Sequence, residues 1–498
     1  MKNKKKRILL LSDDIRMHSG ISTMSRELVL GCVHKYDFVQ VAAAQKHPEE
    51  GKVFDMSDAV NKEKNITDSY VKLYPTSGYG NPDLIRRLIK EEEIDVILHF
   101  TDPRFWTWLY NIEREIRQQI PITYLNIWDN IPAPMWNRPF YMSCDALFSI
   151  SKQTYNINKI VLGEDCWVSS KDVKSKDDLK GKSLLHYVPH GINEDVFKPL
   201  DKNDSKLLDF KKKIFGNKEY EYVLFYNNRN IGRKRVSDII LAYRSFCDSL
   251  PKKESDKCCL LLHTAKVDPS GTDLPAVIEA LCPDYNIVFS TNKLAPFEMN
   301  MLYNISDVVV NNASNEGFGL SHAEGLMAGR VLINNVTGGL QDGANFMDDD
   351  GNAVEFTDEW GSNHDGRYKK CGKWVKPVFP AARQIHGSPA TPYLFDDHTR
   401  WEDFAEAIMY WYLKGPEERT ECGQAGREFA MGDGGLNSKN MSKQLILGME
   451  TTLNNWTPRS KFSIHTDDEY HGHTYENGCG VIIPPVNIEK IKEEISNE

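Results

Sequence analysis

The sequence predicts an α/β protein built from two parallel-sheet domains that face each other across a cleft. Three observations predict it. Short apolar runs alternate with helix-length segments, the alternation stops near residue 188 and restarts near residue 219, and 498 residues suffice for two full-sized cores.

In the first domain, residues 1–188, the runs "RILLLS", "FVQVAAA", "IDVILHF", "PITYLNIW" and "DALFSIS" read as buried strands. Between them "ISTMSRELVLGCVHKY" and "NPDLIRRLIKEEE" read as helices, and the charged "SSKDVKSKDDLKGKS" reads as a surface interruption. Pro, Gly and Asn punctuate "YVPHGINEDVFKPLDKND", which marks a linker over residues 189–218. The second domain, residues 219–435, repeats the pattern with strands "EYVLFYNNRN", "CCLLLHT", "YNIVFS", "DVVVNNA" and "RVLINNV". Helices "VSDIILAYRSFC", "DLPAVIEALC" and "APFEMNMLYNIS" separate them. Residues 347–397 lapse into Gly, Pro, Trp and charge, and are expected to form an ordered insertion without a regular βα unit. "WEDFAEAIMYWYL" and "KNMSKQLILGMETTLNNW" resume as helices, the latter in a segment over 436–498 that ends in a polar tail.

Composition excludes several function classes. Sixty-one basic against 71 acidic residues give a net charge of −10, which rules against global attraction to nucleic acid or an anionic membrane and leaves a local basic surface open. The apolar run in "MKNKKKRILLLSDD" is too short for a signal peptide or a membrane span, so a soluble cytoplasmic protein is expected. Ten cysteines without a CxxC pair point to reduced thiols. "DDD" at 348–350 and "HGH" at 471–473 lack further ligands at metal-binding spacing, so no metal site is expected.

The chemistry concentrates in "SNEGFGLSHAEGLMAGRVLI", residues 314–333, directly after a buried-looking strand. Gly317 and Gly319 permit a loop to pass close to a ligand. A helix opening at Ser321 would aim its free N–H groups and positive dipole end at that loop, a place for phosphate. Glu324, one turn in, offers a carboxylate suited to a pair of sugar hydroxyls, and Glu316 could hold another polyol beyond the phosphates. Complementary charge comes from "NNRNIGRKR", where Arg229 and Lys234 can converge on a diphosphate and stabilise it as a leaving group. Together these groups suggest a nucleotide sugar.

These motifs resemble those of the retaining glycosyltransferases of GT-B fold, the group that includes glycogen synthase-like and sucrose synthase-like enzymes. The E-x7-E signature is written "EGFGLSHAE", the Arg and Lys pair follows the first strand of the second domain, and "TGGLQD" and "VPHGINEDVF" occupy their places in order. The resemblance covers roughly residues 185–345 and implies two Rossmann-like domains, the first on the acceptor side and the second binding the donor. It implies that Arg229 and Lys234 bind the donor diphosphate, that Glu324 holds the ribose, and that Glu316 contacts the donor sugar. The backbone of Gly317, Phe318, Gly319 and Leu320 would line sugar and phosphates. A UDP- or GDP-sugar is the implied donor, with no obligatory cofactor.

The first domain departs from the family pattern. Its glycine-rich loop is reduced to "MHSGIST", leaving Gly20 to approach the phosphate, and "ILHFTDPRFW" has Thr101 where a second histidine is common after His99. His99 is therefore a candidate sugar contact or a satisfied strand-end histidine, and Asp102 and Asp129 are alternative cleft-facing groups. Asp129 could equally cap a helix. The acceptor is expected against the aromatic and basic stretch of residues 104–141, whose rings could stack sugars or unpaired bases or simply form core. A glycan, a small molecule or hydroxymethylated DNA are the acceptor classes. The last arises because "GKWVKPVFPAARQIHGSPATPYLFDD" resembles segments of large-phage glycosyltransferases, which would place the protein in a host cytoplasm. A non-catalytic nucleotide-sugar-binding scaffold is the reading outside enzymology.

Overall fold

The computed structural model describes residues 4–354, 366–460 and 486–497. Two sheets carry the fold. The first contains β1 (Lys6–Asp13), β2 (Tyr36–Ala44), β3 (Phe54–Asp55), β4 (Val71–Ser77), β5 (Val96–His99), β6 (Ile122–Asn126), β7 (Ala146–Ser149), β8 (Trp167–Ser169) and β9 (Ser183–Tyr187). Their order is β3-β4-β2-β1-β5-β6-β7-β9-β8, parallel except for the two-residue edge strand β3, which runs antiparallel to β4. Helices cover both faces, so the central strands read as unbroken apolar runs: Ile8, Leu9, Leu10 and Leu11 are all fully buried. The charged stretch after β8 forms a largely exposed connection to β9.

The second sheet contains β10 (Tyr222–Asn227), β11 (Cys258–His263), β12 (Ile287–Ser290), β13 (Val308–Asn311), β14 (Val331–Asn335) and β15 (Val375–Val378), in the order β12-β11-β10-β13-β14-β15 and parallel throughout. One expectation is corrected here. The stretch 347–397 supplies β15, which extends the sheet beside β14, and then an antiparallel hairpin of β16 (Ala382–Ser388) and β17 (Thr391–His398). A strand of sequence "VKPV" at a sheet edge can keep its proline, because one of its sides needs no ladder bond.

Inside its edge strands each sheet reverses its strand order, between β1 and β5 and between β10 and β13. At such a switch point the flanking loops part, leaving a crevice beyond the carboxyl ends of the strands. The motif loops leave from those ends: residues 228–235 follow β10 and residues 312–319 follow β13.

The chain passes between the halves twice. The first passage follows β9, and the second follows the long helical segment Trp401–Met431, which is broken at Gly415 (φ 76°) ahead of Pro416. The passages lie side by side: Ile192 N donates to Leu436 O at 2.9 Å and Ser438 N donates to Ile192 O at 3.0 Å. A side chain on Gly191 would lie 2.3 Å from Asn437 O, so the contact needs glycine. After the second passage the helix Ser438–Asn455 packs on the helix Gly20–Cys32 of the first half, with Cys32 against the Ser442 carbonyl.

No helix among the described residues is long and apolar enough to cross a membrane. The cysteines among them are free of disulfides. Asp348 spends its carboxylate on the backbone and side-chain amides of Asn352, and no group of three or more metal-ligating side chains occurs among the described residues. The "HGH" at 471–473 lies outside them.

Candidate functional site

The loop after β10 ends in a short turn, Gly232–Lys234, and Arg235 then takes a left-handed conformation (φ 54°) that redirects the chain into the helix Val236–Asp248. Arg235 itself pairs with Asp238 and His398. The redirection leaves Arg233 and Lys234 facing the loop after β13. Lys234 is buried and ion-paired with Oε1 of Glu316, while Tyr226 Oη fixes its backbone by donating to Lys234 O at 2.6 Å. Arg233 Nη1 donates to Asn315 O at 2.6 Å and lies 4.0 Å from Oε2 of Glu316 and 3.6 Å from Oδ2 of Asp129.

Burial alone would raise the Glu316 carboxyl, but Lys234 and then Arg233 outweigh it and hold the group below the usual carboxylate range. Asp129 goes the other way. Burial raises it more than Arg233 lowers it. Glu316 also accepts from Asn311 Nδ2 at 3.3 Å. Its backbone is cradled by the "TGGLQD" segment, where Gly339 N donates to Glu316 O at 2.9 Å. A side chain on Gly338 would sit 2.1 Å from that same oxygen, and one on Gly339 would sit 2.2 Å from Gly317 O. The glycine pair therefore seats the glutamate loop by close backbone approach.

The helix Leu320–Met327 opens one residue earlier than the sequence suggests, on Gly319 in the left-handed region (φ 85°) rather than on Ser321. Leu320 faces Gly20 of the first half, where an added Cβ would lie 3.4 Å from Leu320 Cδ1. Phe318 turns inward, its ring 5.2 Å from that of the buried His190. Gly317 lies against Ile127 and Asp129 of the first half. Glu324 accepts from Tyr303 Oη at 2.5 Å, and burial pushes its carboxyl up to about 7. Asn227 Nδ2 donates to the same tyrosine oxygen at 3.0 Å.

Three expected site residues sit differently. Arg229 projects into solvent with its side chain 66% exposed and its Nε 3.0 Å from Asp268, so it does not join Lys234 at Glu316. His99 is fully buried: Nδ1 meets Tyr110 Oη at 2.7 Å, Nε2 meets Thr101 Oγ1 at 2.9 Å, and the ring stacks on Tyr124 at 4.9 Å. Burial drives its pKa down to about 3, so it is a neutral core histidine that does not reach the cleft. Asp102 caps the turn Pro103–Trp106 and pairs with Arg104, which occupies both its oxygens.

The aromatic stretch of residues 104–141 divides. Trp106, Tyr124 and Tyr141 are core, whereas Trp128 and Trp136 are half-buried and pack edge to face at 5.7 Å. Trp136 continues to Tyr393 of the hairpin at 4.6 Å. The hairpin ties this loop to the glutamate loop: Asn130 Nδ2 donates to Phe395 O and to Asn315 Oδ1, both at 2.7 Å, and Ser314 Oγ donates to Asp396 Oδ1 at 2.8 Å. Arg233, Asn130, Asn315 and Asp396 were not singled out from sequence. The run of three cations at 233–235 is the signal for Arg233 in the sequence, and it does not say which of the three faces the cleft.

The sequence matches no protein-family model and no curated protein. Solved structures do match. A glycosyltransferase from Rickettsia africae is 13% identical over 91% of this chain and 100% of its own, with a TM-score of 0.59. A sucrose-phosphate synthase from Thermosynechococcus elongatus is 14% identical over 89% and 97%, also with a TM-score of 0.59. The Anabaena protein HepE, solved with UDP-glucose, is 12% identical over 89% and 99%, with a TM-score of 0.56. Sequence identity this low with shape agreement over about nine-tenths of the chain establishes the fold, and the fold is GT-B.

Proposed function

We propose that this chain transfers a sugar from a nucleoside-diphosphate sugar to a hydroxyl acceptor, with retention of configuration at the transferred carbon. The observation that carries the reading is the meeting of Lys234, Arg233 and Glu316 at the switch point of the second sheet, beside the helix that opens at the end of the same loop and carries Glu324. In the scheme, the acceptor hydroxyl oxygen bonds to the sugar carbon as the bond between the sugar and the diphosphate breaks, the hydroxyl proton passes to the departing phosphate oxygen, and negative charge builds on that phosphate as the bond parts. A cation already in place lowers that barrier without reorganising, and Lys234 is that cation. The incoming diphosphate takes over Lys234, which releases Glu316 to accept hydrogen bonds from the donor sugar. Glu324 accepts from the ribose hydroxyls. Residues 219–435 thus serve the donor and residues 1–188 the acceptor, joined by the linker at 189–218.

The UDP-glucose bound by HepE makes that donor the first to try. Lys234 supplies the positive charge that the departing phosphate needs, so the scheme requires no metal. The test is a panel of UDP- and GDP-sugars read by nucleoside diphosphate release, with and without EDTA, and with glycan, small-molecule or hydroxymethylated-DNA acceptors. Release from one donor, stimulated by one acceptor class, is the expected result, and the anomeric proton coupling of the product reads the stereochemistry. Donor binding with no turnover on any acceptor would leave a nucleotide-sugar scaffold. Neither binding nor turnover would end the proposal.

A further inference from the structure

We infer that Arg233 is a positioning residue whose guanidinium joins Glu316 of the second half to Asp129 of the first, so that the donor-facing carboxylate is set when the halves close. The inference rests on the sugar-transfer reading and names a residue that its motif omits.

The two oxygens of Glu316 have different partners: Lys234 takes Oε1, and Arg233 lies 4.0 Å from Oε2. A diphosphate that draws Lys234 away therefore leaves Glu316 with a second cation. That cation is anchored independently, because Arg233 Nη1 donates to the backbone carbonyl of Asn315 at 2.6 Å. The nitrogen held by that carbonyl is the one that faces both carboxylates, so the Asn315 backbone fixes where their shared cation stands.

The second carboxylate comes from the opposite half. Asp129 Oδ2 is 3.6 Å from the same Nη1, and the next residue, Asn130, donates to Asn315 Oδ1 at 2.7 Å. Consecutive residues of the loop after β6 thus dock on Arg233 and on the residue that anchors Arg233. Asp396 of the hairpin also accepts from Asn315 Nδ2, which fixes that residue from the other side. With a side chain 40% exposed, Arg233 stands at the cleft surface instead of filling the core. Closure thus brings a second carboxylate, that of Asp129, to the cation that Glu316 already faces.

The experiment compares Arg233→Gln, Arg233→Lys, Asp129→Asn and the Arg233→Gln/Asp129→Asn double variant in the full chain. UDP and GDP binding are measured by calorimetry, kcat and KM with the donor that the wild type uses, and Tm alongside. Arg233→Gln is expected to lower kcat about 100-fold, the scale of one preorganised electrostatic contact, with nucleotide affinity changed by less than about threefold. Arg233→Lys should recover part of kcat. Asp129→Asn should lose kcat, and the double variant should be little worse than Arg233→Gln because the two residues act through one bridge. Unchanged kcat in Arg233→Gln, or a loss of nucleotide affinity as large as the loss of kcat, would overturn the inference. If Arg233→Gln does not fold, Arg233→Lys and Asp129→Asn decide it by the same criterion. A wild type that binds neither UDP nor GDP brings down the sugar-transfer reading and this inference together, whereas an active wild type with an indifferent Arg233→Gln brings down this inference alone.

Discussion

The two sheets offer the same architectural position, the loops beyond their carboxyl ends at the switch point, and use it in different ways. On the second sheet three of the charged residues there converge on the cleft, Lys234 with Glu316 and Arg233 with Glu316 and Asp129, while Arg229 and Arg235 pair elsewhere. On the first sheet the polar residues at and beyond the end of β5 are spent locally, His99 on Tyr110 and Thr101 and Asp102 on Arg104. Asp129, after β6, is the exception, and it reaches the other half. A shared topology therefore provides places for function without assigning it. What decides is whether a side chain's partners belong to its own turn or lie across the cleft.

The largest effect should come from breaking the second sheet's central pair. Lys234→Ala strands a buried carboxylate, and should cost about 3–5 kcal/mol in denaturant unfolding and about a thousandfold in nucleoside diphosphate release. Arg229→Ala should be gentler. Its exposed pair with Asp268 contributes little to stability, so Tm should hold while donor affinity falls about tenfold, the size of one charge-assisted contact. Unchanged affinity would leave Arg229 outside the site despite its motif position.

Glu324 gives a smaller effect that depends on pH. Its folded pKa is raised to about 7 by burial, so the ionised form is disfavoured in the folded chain. The resulting penalty is absent below the ordinary carboxylate range, grows as pH rises through it, and is complete above about 7. Glu324→Gln should therefore gain stability over the wild type between about pH 4.5 and 7 and no more beyond, as followed by thermal melts. In the proposed scheme ribose hydroxyls donate to the carboxylate, so wild-type UDP affinity should strengthen as pH rises through about 7, and that slope should vanish in Glu324→Gln. The smallest effect on catalysis belongs to the first sheet. His99→Gln should cost about 1–3 kcal/mol of stability through its lost buried hydrogen bonds and leave the proposed turnover of the folded chain unchanged. A tenfold loss of kcat at full stability would return His99 to the site.

The sheets were legible because parallel strands covered on both faces must be apolar along their whole length. Where that rule slackens, reading fails. The strand β4, "VKLYPTS", carries Lys72, Pro75 and Thr76, and β15 hides Lys376 and Pro377 among glycines and tryptophan. In the site, the two glutamates could be read because glycines flank the first and a helix carries the second. Arg233 could not, since adjacent cations look alike in sequence, and only the left-handed turn at Arg235 and the position of Asn315 decide which of them faces the cleft. His99 misled because a histidine at a strand end reads the same whether it faces a cleft or a tyrosine.

The paired chain passages at Ile192 and Asn437 bear on how the halves can move. One passage would be a flexible tether, permitting swing and twist in any direction. Two passages bonded side by side remove most of those degrees of freedom and leave rotation about the line they define, so the distance between Asp129 and Arg233 becomes a function of a single angle. One well-placed pair of spectroscopic labels across the cleft would then report the whole motion.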